Sequence, residues 1–231
     1  MYPIHTRILR PVLALAVAAG LSACASVDQV DYNGYLDTAS RAAPVEPVLA
    51  APVTTAPLER AQSYKVLAVN VSVPQTLIVS EKNRYYPSGD IVWREDPIGN
   101  RHEQVKTIIS DALTQGVSNL DGDREVYLDV TVRRFHALTE KARYTVGGVH
   151  AIQFHVRLRD AATNEVVMEP KLIKADFDAL GGQAAIQAEA AGKTQKVRIT
   201  QHLAYVIQQE LTQPEGYIAQ DTGLVGAVNQ L

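Results

Sequence analysis

The sequence predicts an α+β fold: a mainly antiparallel sheet of about four strands with two principal helices packed on one face. Three observations predict it. Residues Glu125 to Phe135 and Ala151 to Arg159 alternate apolar and polar side chains with the period of half-buried strands. Residues 101–117 and 194–211 carry apolar side chains at the i, i+3, i+4, i+7 spacing of helices that bury one stripe. The elements run strand, loop, helix, three strands, helix, and the short links between the last three strands favour an antiparallel meander.

Taken from the start, the chain opens on a basic stretch with His5, Arg7 and Arg10. An apolar run from Val12 to Leu21 follows, then the small residues Ser22 and Ala23. This is the order of a secretory signal. The run is too short for a spanning helix, which needs roughly 20 apolar residues. Leu21-Ser22-Ala23-Cys24 contains the sole cysteine of the chain and resembles the lipobox of bacterial lipoproteins. The resemblance implies cleavage of residues 1–23 as a signal peptide and acylation of Cys24. It also implies export to the outer membrane, because Ala25 replaces the Asp that retains such proteins at the inner membrane. Two or three acyl chains on one residue anchor far more firmly than a single chain, at about 0.8 kcal/mol per buried CH₂.

Removing residues 1–23 takes away two arginines and no acid, so the net charge of −3 becomes −5. That balance argues against nucleic acid as a partner. With Cys24 acylated, the domain has no disulfide and is held by its apolar core. Residues 24–60 read as a lipidated cysteine and flexible tether. Pro44, Pro47, Pro52 and Pro57 favour extended chain, and about 35 residues at roughly 3.1 Å each reach roughly 100 Å.

The domain proper is expected over residues 61–214. Its first strand, Tyr64 to Val73, places Leu67, Val69, Val71 and Val73 on one face, and Pro74 ends it. The stretch Glu81 to Pro97 has neither helical nor strand period and holds the sole tryptophan. Tyr85, Tyr86, Trp93 and Arg94 are its candidate partner-contact residues, since aromatic rings and arginines anchor interfaces. The alternative is a loop whose Trp93 and Tyr86 fold back over the sheet. Asn100 and Glu103 form a capping-box-like start to a helix with Val105, Ile108, Ile109, Ala112, Leu113 and Val117 inward. Gly116 and Asn119 weaken its end, and Asp121-Gly122-Asp123 turns the chain.

After the strand at Glu125 to Phe135, residues Leu138 to Tyr144 form a charged connection, and Gly147-Gly148 permits a bend. The strand at Ala151 to Arg159 turns at Asp160 to Asn164 into a third, Glu165 to Phe177. Pro170 makes this third one an edge or bulged strand. Gln183 to Ala191 reads as a short helix or a loop. Thr194 to Leu211 is the second principal helix, stopped by Pro214, and residues 215–231 read as a loose tail.

Several of these pieces resemble the ABC-type transport auxiliary lipoproteins of the paraquat-inducible type. They are Val73-Pro74, Ile91-Val92-Trp93-Arg94 with Pro97, the helix at Val105 to Val117, Arg134-Phe135, Val156 to Asp160 and the last helix. Gly89 to Arg94 and Lys141 to Gly148 also resemble an uncharacterised alphaproteobacterial lipoprotein family. The first resemblance implies a non-catalytic auxiliary of an envelope lipid-transport system, tethered to the outer membrane, facing the periplasm, and contacting an envelope protein complex. No enzyme activity, cofactor or metal is expected. The histidines lack metal-ligand spacing, and no Ser sits in a G-x-S-x-G elbow. The alternatives are a cell-envelope hydrolase and a self-associating structural lipoprotein.

Overall fold

The computed structural model describes residues 63–223. The signal, Cys24, the tether and the last eight residues lie outside them. The described residues build six strands and four helices. In chain order these are β1 (Tyr64–Ser72), β2 (Ile91–Val92), α1 (Arg101–Val117), β3 (Arg124–His136), α2 (Glu140–Arg143), β4 (Gly148–Asp160), β5 (Val166–Lys174), β6 (Phe177–Ala179), α3 (Gly182–Ala190) and α4 (Gln195–Thr212).

The fold is α+β, but the sheet is mixed rather than mainly antiparallel, and it is larger than expected. Its main path runs β1-β3-β4-β5, with β2 added to β3 and β6 added to β4. β3, β4 and β5 form the antiparallel meander. β1 and β2 both lie parallel to β3. The physical reason is the crossover. Parallel neighbours need a connection of a dozen or more residues, usually helical, and α1 supplies it between β1 and β3.

β1 corrects a second expectation. Its register against β3 slips between Val66 and Ala68, which leaves Leu67 as the extra residue of a bulge. The slip puts Tyr64 and Val66 on the same inward side as Val69 and Val71. Leu67, expected inward with Val69 and Val71, is 45 % exposed. β5 has both features that Pro170 suggested. It ends the main path of the sheet, and its register against β4 jumps from Lys171 to Met168 while β4 advances only from Val156 to Leu158. Pro170, with no N–H to donate, lies in that bulge. The expected third strand then divides. Asp176 breaks it by accepting the Ile152 N–H at 2.8 Å on its side chain, and β6 begins at Phe177.

α1 starts at Asn100, whose Oδ1 accepts the N–H groups of His102 and Glu103. Its buried side chains include all six predicted apolar ones, with Arg101 added. α4 starts at Thr194, whose Oγ1 accepts the Val197 N–H, and buries Ile199, Leu203, Val206, Ile207 and Leu211. These two stripes and the inward residues of β3 and β4 form one core. The charged connection after β3 contains the single-turn α2, and the Gln183 to Ala191 piece is helical. The tail is fastened at its start: Tyr217 packs partly buried against the core, and its N–H donates to Glu210.

Gly116 marks where α1 and α4 meet. A Cβ there would stand 2.3 Å from the Ala204 carbonyl oxygen and 2.5 Å from Ile207 Cγ2. On helix propensity alone, Gly116→Ala would stabilise by roughly 1 kcal/mol. The close approach reverses the sign, because two helix backbones must part. Gly116→Ala is expected to destabilise by about 1–3 kcal/mol, the usual scale of overpacking, as read by chemical denaturation.

Candidate functional site

The segment singled out by its aromatics and charges, residues 74–100, is tied into the fold at nearly every turn. After Pro74 the chain doubles back on itself. The N–H groups of Asp90 and Ile91 both donate to the Ile78 carbonyl, and the Ser80 N–H donates to the Ile91 carbonyl. Gly89 makes this possible. Its φ is +133°, and a Cβ would stand 2.9 Å from the Ile78 oxygen. β2 then docks beside the end of β3, with Phe135 N–H to Asp90 O and Ala137 N–H to Val92 O. A two-residue strand leaves no periodic signal in a sequence.

This docking carries Trp93 inward. Its side chain is fully buried and meets Phe135 edge to face at 5.8 Å. Its Nε1–H donates to Asp96 Oδ2 at 2.8 Å. Trp93 is therefore a core residue, and the expectation that it is a contact residue is corrected. An indole can be buried here because Asp96 satisfies its one polar atom.

Arg94 is partly buried in an ion-pair clasp. It donates to Glu140 Oε2 at 2.6 Å and to the main-chain and side-chain oxygens of Glu81. The hydrogen bond to Glu140 holds its guanidinium more firmly charged than usual. Arg101, at the first turn of α1 and 4 % exposed, pairs with Glu81 and donates to the Asp96 and Pro97 carbonyls. Glu95 pairs with Arg143 of α2 at 2.9 Å and accepts the Lys196 N–H at the start of α4. Burial alone would push the Asp96 carboxyl up. Hydrogen bonds from Lys196 and Trp93 outweigh it and hold the carboxyl below its ordinary range. The pair Glu95-Asp96, which reads as a turn before proline, thus joins the loop to two helices. Arg101 and Arg143 were not visible in the sequence as hubs, since their partners lie 20 and 48 residues away.

What remains exposed is the tip. Tyr86 is 62 % exposed and Tyr85 41 %. Their flanks are pinned: the Arg84 carbonyl accepts the Thr139 hydroxyl, and Asn83 Oδ1 accepts the Lys141 N–H, both at 2.8 Å. Lys141 Nζ stands 4.6 Å from the centre of the Tyr85 ring. Of the four candidate residues, the structure therefore presents two as a surface, uses Arg94 to hold the loop, and buries Trp93. Surface grooves of about 420 and 440 Å³ are lined by other residues, the first by Tyr205, Pro214, Tyr217 and Ile218 among them.

Three histidines are packed into the fold. His136 bonds the Gly89 carbonyl at 2.7 Å. His150 and His202 flank Phe177, with ring centres 4.8 and 4.1 Å away. Burial lowers all three, His136 and His202 to about 4 and His150 to about 3. His155 lies on the solvated side of β4, opposite Thr131 and Leu172. Among the described residues, no group of three or more His, Cys, Asp or Glu could hold a metal ion. None of their helices is long and apolar enough to cross a membrane.

Residues 64–227 match the model of a family of unknown function (DUF6778). No curated protein matches the chain. Among solved structures, a Xanthomonas campestris protein of family model DUF330 is 12 % identical at a TM-score of 0.38, over 65 % of this chain and 86 % of that one. A candidate lipoprotein from Caulobacter crescentus is 17 % identical at 0.29, over 46 % of this chain and 79 % of that one. An uncharacterised protein is 16 % identical at 0.31, over 64 % and 91 % of the respective chains.

Proposed function

We propose, for a chain that belongs to the family of unknown function DUF6778, the role of a membrane-anchored envelope lipoprotein: a non-catalytic binding or assembly module. The observation that carries the reading is the loop tip. Coil that is free to move loses entropy when it binds, and fixing it beforehand removes that cost. Here α1, α2, α4 and the end of β3 fix a segment whose remaining exposed rings are Tyr85 and Tyr86, a residue type enriched among interface anchors. Lys141 beside Tyr85 adds a cation to the same spot. The anchor is Cys24 in its lipobox-like setting. The finer reading follows the sequence resemblance: an auxiliary of an envelope lipid-transport system, held at the outer membrane and facing the periplasm.

Two experiments test the two halves separately. Cys24→Ser is expected to move the protein from washed membranes to the soluble fraction, and unaltered fractionation with membranes removes the anchor. Tyr85→Ser with Tyr86→Ser is expected to leave the melting temperature within about 2 °C, because exposed side chains away from the core contribute little. The same pair is expected to abolish specific crosslinks in intact cells, read by mass spectrometry of the captured proteins. Crosslinks that persist at wild-type yield place the contact elsewhere.

A further inference from the structure

The alternation that buries Val130 and Val132 of β3 and Phe154 and Val156 of β4 turns the residues between them to the opposite, solvated side of the sheet. One end of that open face is basic. The register of β3 against β4 slips between Val132 and Arg134, which makes Arg133 the extra residue of a bulge and turns both arginines to the open side. Arg134 stands opposite Gln153, and Gln153 stands opposite Lys174 of β5. Arg133 and Lys174 are exposed, two strand spacings or about 10 Å apart. Neither is in an ion pair among the described residues. Arg134 and Lys174 do face Asp176, but that carboxyl is 4 % exposed and accepts the Ile152 N–H. Further along the same face, Arg157 and Arg159 share a single carboxylate, Asp129. Cations thus outnumber acids on the open side of β3, β4 and β5, in a chain whose net charge is negative.

We propose that this basic face is a docking surface for the phosphate-bearing headgroups of anionic phospholipids, so that the domain rests against a bilayer as well as being moored to it. The inference takes from the lipoprotein reading only the nearness of a membrane. Charge complementarity selects an anionic occupant, and two observations favour a headgroup layer over an acidic protein. The core of a protein interface is depleted of charge, whereas the middle of this face holds Asp129 and its two arginines. The unpaired cations sit on long stems, which can follow a layer of mobile phosphates without a fixed geometry. Leu172, beside His155 on this face and 42 % exposed, adds apolar area to sink between headgroups. Each Lys or Arg at an anionic surface strengthens binding about fivefold. That is weak for a free domain and effective for one held near the surface by an anchor.

The test uses the mature chain carrying Cys24→Ser, which reads the face without acyl chains. Vesicles of phosphatidylglycerol and phosphatidylethanolamine are expected to sediment the protein at low ionic strength and to release it at about 0.5 M sodium chloride. Vesicles of phosphatidylcholine alone are expected to leave it in solution. Arg133→Gln with Lys174→Gln is expected to weaken binding about 30-fold and to leave the melting temperature within about 2 °C. Lys106→Gln with Lys193→Gln removes the same charge from exposed positions elsewhere and is expected to change binding by less than about twofold. Equal loss in the two double variants, equal binding to phosphatidylcholine, or no sedimentation with either vesicle overturns the proposal. So does binding of soluble polyglutamate through Arg133 and Lys174 in place of the vesicles, which assigns the face to an acidic protein. Failure of the anchor reading shows differently, as Cys24→Ser protein that stays with membranes after a salt wash has released the face.

Discussion

Replacing Trp93 by alanine is expected to lower the unfolding free energy by about 3–5 kcal/mol, the largest single-residue loss available in this loop. The ring is fully buried and packs edge to face on Phe135. Removing it leaves a cavity in the main core, which packed neighbours fill only in part. It also takes the Nε1–H from Asp96, leaving that carboxylate to Lys196. Urea denaturation followed by circular dichroism measures the loss. Loss of a partner in Trp93→Ala therefore reports unfolding and says nothing about recognition. A loss below about 1 kcal/mol, the scale of surface changes, removes Trp93 from the core.

Acidification is the second large effect. His136, His150 and His202 are all harder to protonate in the fold than in the unfolded chain, where the ordinary value is 6.5. Below that value the unfolded chain takes up protons that the fold refuses. Stability is thus complete above pH 6.5 and falls as the pH drops toward 4 and then 3. For a fully buried imidazole such as His150, the loss is about 1.4 kcal/mol per pH unit in that window. Arg198 faces both His150 and His202, and Arg134 faces His136, so nearby cations add to the effect of burial. Asp129, held below the usual carboxylate range chiefly by its hydrogen bond from Arg159, acts in the same direction at lower pH. Asp176, pushed up by burial, acts against it. Thermal melts from about pH 8 to about pH 4 are expected to show a steep fall beginning near 6, and a flat profile contradicts the burial of these rings.

Local periodicity carried the core. The α1 stripe from Val105 to Val117 and the alternating inner faces of β3 and β4 are buried as their spacing requires. Pro170 announced a bulged edge because a missing N–H is a property of one residue. Strand direction was less legible. Alternation in β1 is the same whichever way its partner runs, and only the intervening helix hinted at a parallel pair. The bulge at Leu67 inverted the phase of β1 without a glycine or proline to mark it. The candidate site was legible in outline only. Composition singled out one segment, but of its four contact candidates Trp93 is buried and Arg94 is engaged within the fold, because exposure depends on the fold. The pairs of Glu95 with Arg143 and Asp96 with Lys196 span 48 and 100 residues, and no local pattern encodes them.

The bulges at Leu67 and Pro170 have a consequence beyond their own strands. They interrupt β1 and β5, the two ends of the main sheet path, where unpaired backbone groups would otherwise offer a straight template to another molecule. A kinked margin that lacks a donor is a poor seed for fibril growth. Copies held side by side, as the proposed lipid anchor would hold them, then stay separate.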